Sequence, residues 1–381
     1  MNTDLYSKII NAFANNFKEK PLLIFSPGRI NLIGEHTDYN DGFVFPAAID
    51  IGIIAAFSKS TKNKCIIIAN DLKETYEFTL DNVHALENGG WKNYILGVVG
   101  EIQKKGKQIG NFNLVFGGDI PVGAGLSSSA ALENSVVFGL NELFEIGLTK
   151  TEMIFISQKA EHNYVGVKCG IMDQYASMFG QENKALLLDC RTTVATPFLI
   201  NFKNYELLLI NTNVKHSLSD SAYNNRRTVC ENVASLLNVK ALRDTSEEDL
   251  LKIKNQISEE DYQKALYVIQ ENDRVQKASK AITENDIETL GNLVYESHNG
   301  LQHQYNVSCD ELDFLVDQAK ESKDIIGARM MGGGFGGCTI NIVKKGKVGS
   351  FLEKVAPLYK QKFHKNCSAY SVNISEGTHK I

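Results

Sequence analysis

The chain has 381 residues and a mass of 42.3 kDa, more than one compact core usually organises, so two domains are expected. With 43% hydrophobic and 22% charged residues and only 6 prolines, it is neither a disordered, a collagen-like nor a coiled-coil chain. Its 40 basic and 45 acidic side chains leave a net charge of −5, without the basic excess that binds nucleic acid or an anionic membrane.

The N-terminus, Met1-Asn2-Thr3-Asp4, has no basic region leading into an apolar one, so no signal peptide is read there. Apolar Ile30, Leu32 and Ile33 anchor a short strand, and polar residues follow on the loop leaving it. Residues 51–57, 64–69 and 113–116 are β-branched or apolar runs bounded by polar clusters and read as strands. Between Trp91 and Lys104 the spacing of Ile95, Val98, Val99 and Ile102 suits a helix. The most apolar stretch, 42–57, is interrupted by Pro46 and Asp50, and a membrane span needs roughly 20 uninterrupted apolar residues.

A helix is expected to start within the serines at 127–129. Thr149 and Glu152 form a capping-box pattern ahead of a helix running to about His162, while Asp173 falls in a glycine-bracketed loop. Residues 186–188 and 207–210 read as strands. From 244 to 323 the chain is rich in Glu, Lys, Gln and Leu, with further capping-box patterns at Thr245/Glu248 and Ser308/Glu311, so several helices follow. A last strand is read at 338–343. This mixture indicates an α+β or α/β fold, and α+β is the expectation carried forward. The boundary falls near 190–212, giving domains 1–195 and 196–381, with the final residues able to pack back on the first. The seven cysteines (65, 169, 190, 230, 309, 338, 367) include no Cys-x-x-Cys pair and read as reduced residues of a cytoplasmic protein.

Three segments make poor sense as core packing. In the first, 26–42, Arg29, Asn31, Glu35, His36 and Asp38 form a polar patch with the paired donors and acceptors that a hydroxyl-rich ligand needs; a solvated turn is the plain alternative. In the second, 117–133, glycines at 123 and 125 lead through three serines into a helix start. Free helix amides there suit an anion, and serine hydroxyls suit phosphate or Mg²⁺, although a serine-capped turn would look similar. The Gly-Lys-Ser/Thr ending of a Walker loop is missing. In the third, glycines fill five of the six positions from 332 to 337, either as a hinge or as a loop closing on a ligand. No acidic residue follows where a dinucleotide fold would need one. Glu161 and Asp173, near a cleft, would be candidates for metal binding and proton abstraction.

Read together, these segments resemble the GHMP kinases (galacto-, homoserine, mevalonate and phosphomevalonate kinases). The run Gly28-Arg-Ile-Asn-Leu-Ile-Gly-Glu-His-Thr-Asp-Tyr39 looks like the galactokinase signature, and loops 119–133 and 332–337 resemble the superfamily's second and third motifs. The resemblance implies a two-domain GHMP kinase fold with the active site in the interdomain cleft. It also implies phosphoryl transfer from ATP to the C1 hydroxyl of galactose, the first committed step of galactose catabolism. Arg29 and Asp173 match the family's catalytic pair. Glu35, His36, Thr37, Asp38, Gly170 and Tyr223 match its sugar-binding residues, Tyr223 lying in a polar run at 218–227. Gly123, Ala124, Gly125, Leu126, Ser127, Ser128 and Ser129 match the ATP phosphate loop, with Ser129 and Glu161 at the Mg²⁺ positions. Trp91 and Asn70 are candidates for the adenine pocket.

Phosphoryl transfer relies on positioning and charge neutralisation. Asp173 would take the C1 proton while Arg29 stabilises developing charge; in a competing account Asp173 only orients the sugar. An N-acetylgalactosamine kinase shares the motifs. A non-catalytic galactose sensor would have an eroded serine loop, whereas Ser127-Ser-Ser-Ala-Ala131 is complete. The expected partners are galactose and ATP, without nucleic acid or membrane, for a cytoplasmic monomer. Cys169, four positions before Asp173, is a candidate for oxidation sensitivity.

Overall fold

A computed structural model describes residues 2–121, 123–215 and 219–381. Helix α1 (Thr3–Asn16) starts on Asn2, whose side chain accepts from the amides of Asp4 and Leu5. Its Leu5, Ile9 and Phe13 recur every four residues and pack on Leu23, Phe25, Ile54, Ala56 and Val115. That helix precedes every element read from the sequence.

The strands it covers are β1 (Leu22–Asn31), β3 (Pro46–Lys59) and β6 (Phe112–Gly118); between them come β2 (Phe43–Val44), β4 (Cys65–Ala69), β5 (Glu74–Phe78) and α2 (Trp91–Lys104). Side chains alternate across a strand, so Ile24, Ala55 and Phe57 point to the other face. There they join α2, α3 (Ser128–Phe144) and α4 (Lys150–Ala160) in the largest core cluster. The Thr149/Glu152 box caps α4 with both reciprocal hydrogen bonds in place. Helix α5 (Met172–Phe179) follows, and here the sequence reading is corrected. Asp173 lies in the first turn of a helix, not in a loop.

Strands β7 (Lys184–Asp189) and β8 (Val194–Leu199) pair with β2 in a small three-stranded sheet. Then β9 (Tyr205–Lys215) begins a second, antiparallel sheet, followed by α6 (Ser219–Leu236), α7 (Glu247–Lys252), α8 (Glu259–Glu284), α9 (Ile287–His303) and α10 (Asp310–Lys320). Two caps differ from expectation. Helix α7 is capped by Ser246, which accepts from the amide of Asp249, rather than by Thr245 and Glu248. Helix α10 starts after Cys309 without a side-chain cap, because Ser308 donates to Asp313 instead. The chain closes with β10 (Ile325–Met330), β11 (Gly336–Lys344), α11 (Val348–Phe363), β12 (Ser368–Ser371) and β13 (His379–Lys380).

The second sheet runs β10-β11-β9-β12, and the first runs β13-β1-β3-β6-β4-β5, so the last strand returns to pair with β1. Alternation along β9 divides its side chains: Leu208 and Ile210 face α10 and α11. Leu207 and Leu209 face a cluster that also takes Ile30, Leu32, Ile49 and Leu126 from the first half. This shared core joins the two sheets, and the three glycine-containing segments converge at its edge. No helix among the described residues is long and apolar enough to cross a membrane.

Candidate active site

The chain leaves β1 at Asn31 and turns sharply at Gly34, where φ is +98° and a Cβ would lie 2.8 Å from the carbonyl oxygen of Phe43. Only glycine fits there. Its amide donates to Oε1 of the fully buried Glu271 at 2.9 Å. The turn delivers Glu35 to Arg329, which is 0% exposed. Both Nη atoms of Arg329 lie 3.2 Å from Glu35 Oε1, and the amide of Gly332 donates to the same oxygen at 2.8 Å. Arg329 also donates to the carbonyls of Leu32, Met330 and Asn31. One buried cation therefore ties the loop after β1 to the glycine loop between β10 and β11.

The next residue, His36, has a positive φ of 64°, strained for a side-chain-bearing residue. Its Nδ1 lies 2.6 Å from the Tyr39 hydroxyl, itself 2.9 Å from the Tyr305 hydroxyl, while Nε2 is buried with no protein partner. Burial first, then the Arg226 and Arg329 charges, pushes the imidazole down to about 3, so it is neutral near pH 7. Asp38 is pushed up to about 7 by burial, with the Asp173 and Glu35 carboxylates adding to the effect. Gly170 presses against it: a Cβ there would fall 2.0 Å from Asp38 Oδ2.

Arg29, 4% exposed, meets Asp173 in a two-pronged pair, Nε to Oδ1 at 2.8 Å and Nη2 to Oδ2 at 3.0 Å. Its Nη1 donates to the Gly125 carbonyl at 2.6 Å. Burial alone opposes the guanidinium charge, but the carboxylates of Asp173, Glu35 and Asp38 outweigh it and hold Arg29 above its ordinary value. The Ser127 hydroxyl completes the arrangement, donating to Asp173 Oδ2 at 2.5 Å.

Two adjoining cavities meet at this pair. One, of about 130 Å³, is lined by Arg29, Glu35, His36, Asp38, Ser129, Glu161, Gly170, Asp173 and Tyr223, with Gly332 and Gly333. The other, of about 420 Å³, lies between the serine and glycine loops, lined by 123–129 and 331–337 together with Arg29, Asp173 and Tyr223. Gly123 and Gly125 take positive φ values of 71° and 70°, which turns the serine loop sharply. Ala124 and Leu126 bury their side chains in the shared core, leaving backbone to the cavity. The first amides of α3, Ser128 to Ala130, have no carbonyl partner within the helix and face an anion with the positive end of its dipole.

Not every expected residue lines these cavities. Thr37 is fully buried, its hydroxyl 2.9 Å from the Gly34 carbonyl and 2.6 Å from that of Phe43, so it fastens the loop rather than facing a ligand. Trp91 donates to Glu74 and packs on Phe116, and neither it nor Asn70 lines either cavity. Val122 in the serine loop and 216–218 before α6 lie outside the described residues. Burial, followed by Glu161, Glu133, Asp173 and Asp38, pushes the Cys169 thiol well up, which disfavours the thiolate that oxidation requires.

Sequence reasoning missed Arg329, Gln174 and Glu133. Gln174 and Glu133 are fully buried and linked by a 3.3 Å hydrogen bond behind Asp173. Burial and the nearby Glu161 push Glu133 well up, and its Oε1 has no protein partner. The available signal was positional: Glu133 lies four residues after Ser129 on α3, hence on the same helical face.

The galactokinase galactose-binding signature matches residues 11–59, the GHMP kinase N-terminal domain matches 93–181, and the GHMP kinase C-terminal domain matches 278–361. Among curated proteins, a galactokinase of Clostridium beijerinckii is 41% identical over 385 residues, covering 98% of this chain and 99% of that one. A galactokinase of Thermosipho africanus is 43% identical over 356 residues, covering 93% and 99%. Among solved structures, Lactococcus lactis galactokinase complexed with galactose superposes with a TM-score of 0.94 at 34% identity, covering 99% of this chain and all of that one. The mevalonate kinase of Methanococcus jannaschii shares the fold, with a TM-score of 0.68 at 18% identity.

Proposed function

This chain belongs to the galactokinase family of the GHMP kinases, and from that membership we propose that it transfers the γ-phosphoryl group of ATP to the C1 hydroxyl of α-D-galactose, giving galactose 1-phosphate and ADP. The observation that carries the reading is the Arg29–Asp173 pair on the wall common to both cavities. On one side are carboxylates and a neutral imidazole for sugar hydroxyls; on the other, the amides of α3 and two glycine-bearing loops for phosphates.

In this reading Glu35, His36, Asp38, Gly170 and Tyr223 hold the galactose. The unpartnered His36 Nε2 and the Asp38 carboxylate are available to its hydroxyls. Arg329 and the Gly332 amide fix Glu35 through Oε1, so its rotamer is set before the sugar arrives. Residues 123–129 hold the ATP phosphates through backbone amides, with the Ser127 hydroxyl turned instead to Asp173. Asp173, oriented by three donors, receives the C1 proton, and Arg29 stabilises the charge that develops as the phosphoryl group moves.

A Mg²⁺ ion fits the donors present. The Ser129 hydroxyl and Glu161 carboxylate are hard oxygen ligands on the same cavity wall, and the Glu161 and Asp173 carboxylates concentrate negative potential there, which helps push the neighbouring Glu133 up. No group of three His, Cys, Asp or Glu among the described residues could hold a metal alone, as expected where phosphate oxygens supply the remaining ligands. When bound, the ion neutralises charge on the ATP phosphates.

The boundary expected at 195/196 would cut β8, which pairs along its length with β7, so we place it just after that strand, and the protein in the cytoplasm as a monomer. All seven cysteines are free, which supports a reducing compartment. The test is ADP release from Mg-ATP with D-galactose, N-acetylgalactosamine, glucose and mevalonate. Turnover with galactose far above the others is expected. Preference for N-acetylgalactosamine would move the assignment to a sister kinase, and galactose binding without turnover would refute catalysis.

A further inference from the structure

Helix α4 does not end as an ordinary helix. After Ala160 the backbone opens into a wider turn, closed by the Gly166 amide donating to the Glu161 carbonyl at 2.8 Å, five residues back. Turns of this width are rare and concentrate at functional sites, because they redirect one side chain without breaking the helix. Glu161 is the residue on which this turn opens: its own backbone is still α-helical and its amide donates to the Ser157 carbonyl, so its side chain leaves from the end of α4 into the cavity holding Ser129 and Asp173.

The end of α4 and the widened turn pack closely on the neighbouring helix α2. At Gly97 a Cβ would fall 2.7 Å from the Cβ of Ala160, the residue before Glu161. One turn later, at Gly100, a Cβ would fall 1.9 Å from the Tyr164 hydroxyl and 2.8 Å from the ring carbon bearing it. The two glycines share one face of α2 and let the end of α4 approach it backbone to backbone. Around them, Asn163 Nδ2 donates to the buried Glu101 Oε1 at 2.9 Å, and Lys104 donates to the same oxygen at 2.6 Å while lying 5.3 Å from the Tyr164 ring centroid. Local propensity opposes glycine at both positions, since alanine is the better helix former. The close approach to the widened turn is what requires it.

We infer that Gly100 and Tyr164 are positioning residues for the metal–nucleotide site: their contact seats the widened turn on α2 and so fixes the end of α4, from which Glu161 enters the cavity. The inference rests on the metal role proposed for Glu161.

The experiment measures Mn²⁺ binding to the ATP-loaded protein by water-proton relaxation, alongside the KM for galactose. Gly100→Ala should weaken Mn²⁺ binding about tenfold, the low end for residues that orient a ligand, and leave the galactose KM nearly unchanged. Adding Tyr164→Leu, which removes the hydroxyl and the ring carbons nearest the new methyl, should restore part of the loss. Unchanged Mn²⁺ affinity in Gly100→Ala overturns the inference, as does a loss that Tyr164→Leu fails to relieve. Should Gly100→Ala not fold, Asn163→Ala perturbs the same turn more gently and should weaken Mn²⁺ binding by a smaller factor; unchanged affinity there counts equally against it. Glu161→Ala separates the two readings. If it leaves Mn²⁺ binding intact, the Glu161 assignment fails; if it abolishes binding while Gly100→Ala does not, only the positioning role fails.

Discussion

Asp173 receives three hydrogen bonds from Arg29 and Ser127, so its position does not depend on its ability to take a proton. Asp173→Asn preserves the side-chain shape and removes the base. Turnover is expected to fall by about 10⁴-fold with folding intact; residual activity within about 10-fold would show that Asp173 only orients the sugar. Asp38 supplies a pH test. Its carboxyl is raised to about 7, above its unfolded value, so the unliganded protein holds this proton between about pH 4 and 7. The resulting stability is present below the unfolded value and lost as pH rises through 7. An ionised carboxylate accepts sugar hydroxyls more strongly than a neutral one, so galactose affinity should rise up to about tenfold from pH 6 to 8. Calorimetric titration checks this, and an Asp38→Asn variant that kept the same slope would refute it. The residues of the 28–39 run were legible because their chemistry is unusual for a core. Arg329 was not, because a lone arginine before a glycine cluster does not declare that it is fully buried.

At the scale of elements, periodicity and capping were readable wherever the signal was local. The helix read at 91–104 forms over those residues, and the Thr149/Glu152 box caps α4 as expected. Thr149→Ala should cost about 1 kcal/mol of stability, measured by denaturant unfolding, with the galactose KM unchanged; an unaltered midpoint would mean that packing alone holds the start of α4. The boxes read at Thr245 and Ser308 failed for a local reason. Ser246 offers the same cap one residue on, and Ser308 has a competing acceptor in Asp313. Asp173 reads as a loop residue because glycines at 166 and 170 obscure a helix of only eight residues.

The largest scale is set by contacts between distant parts of the chain. The last strand completes the first sheet, and Thr378 is fully buried, its hydroxyl 2.9 Å from that of Ser26 and 3.0 Å from the Ser177 carbonyl on α5, the helix that carries Asp173. Deleting residues 377–381 leaves these groups unsatisfied at about 1–3 kcal/mol each and uncovers β1. Lower thermal stability is expected together with lower turnover, since α5 loses its anchor; a truncated protein with unchanged melting temperature and activity would contradict this. On the opposite flank, Arg243 grips Asp189 and the Asp41 carbonyl, and Arg191 grips Asp41 and Asp244. These pairs fasten the loop after Asp38 to the helical segment beyond α6.

Sequence alone determined the class of fold, the family resemblance and the residue types available for chemistry, because amphipathic periods, glycines at forced turns and clustered polar residues are local properties. Only the tertiary structure decided which of them act together. Arg29 meets Asp173 across 144 positions and Arg329 meets Glu35 across 294. Thr37 was drawn inward to backbone carbonyls, and Trp91 and Asn70 were left away from both cavities. Such pairings depend on how two sheets close on one shared core, and burial then shifts the titrating groups: His36 down, Asp38 and the Cys169 thiol up. A residue's spacing in the chain does not record the dielectric it will meet once folded.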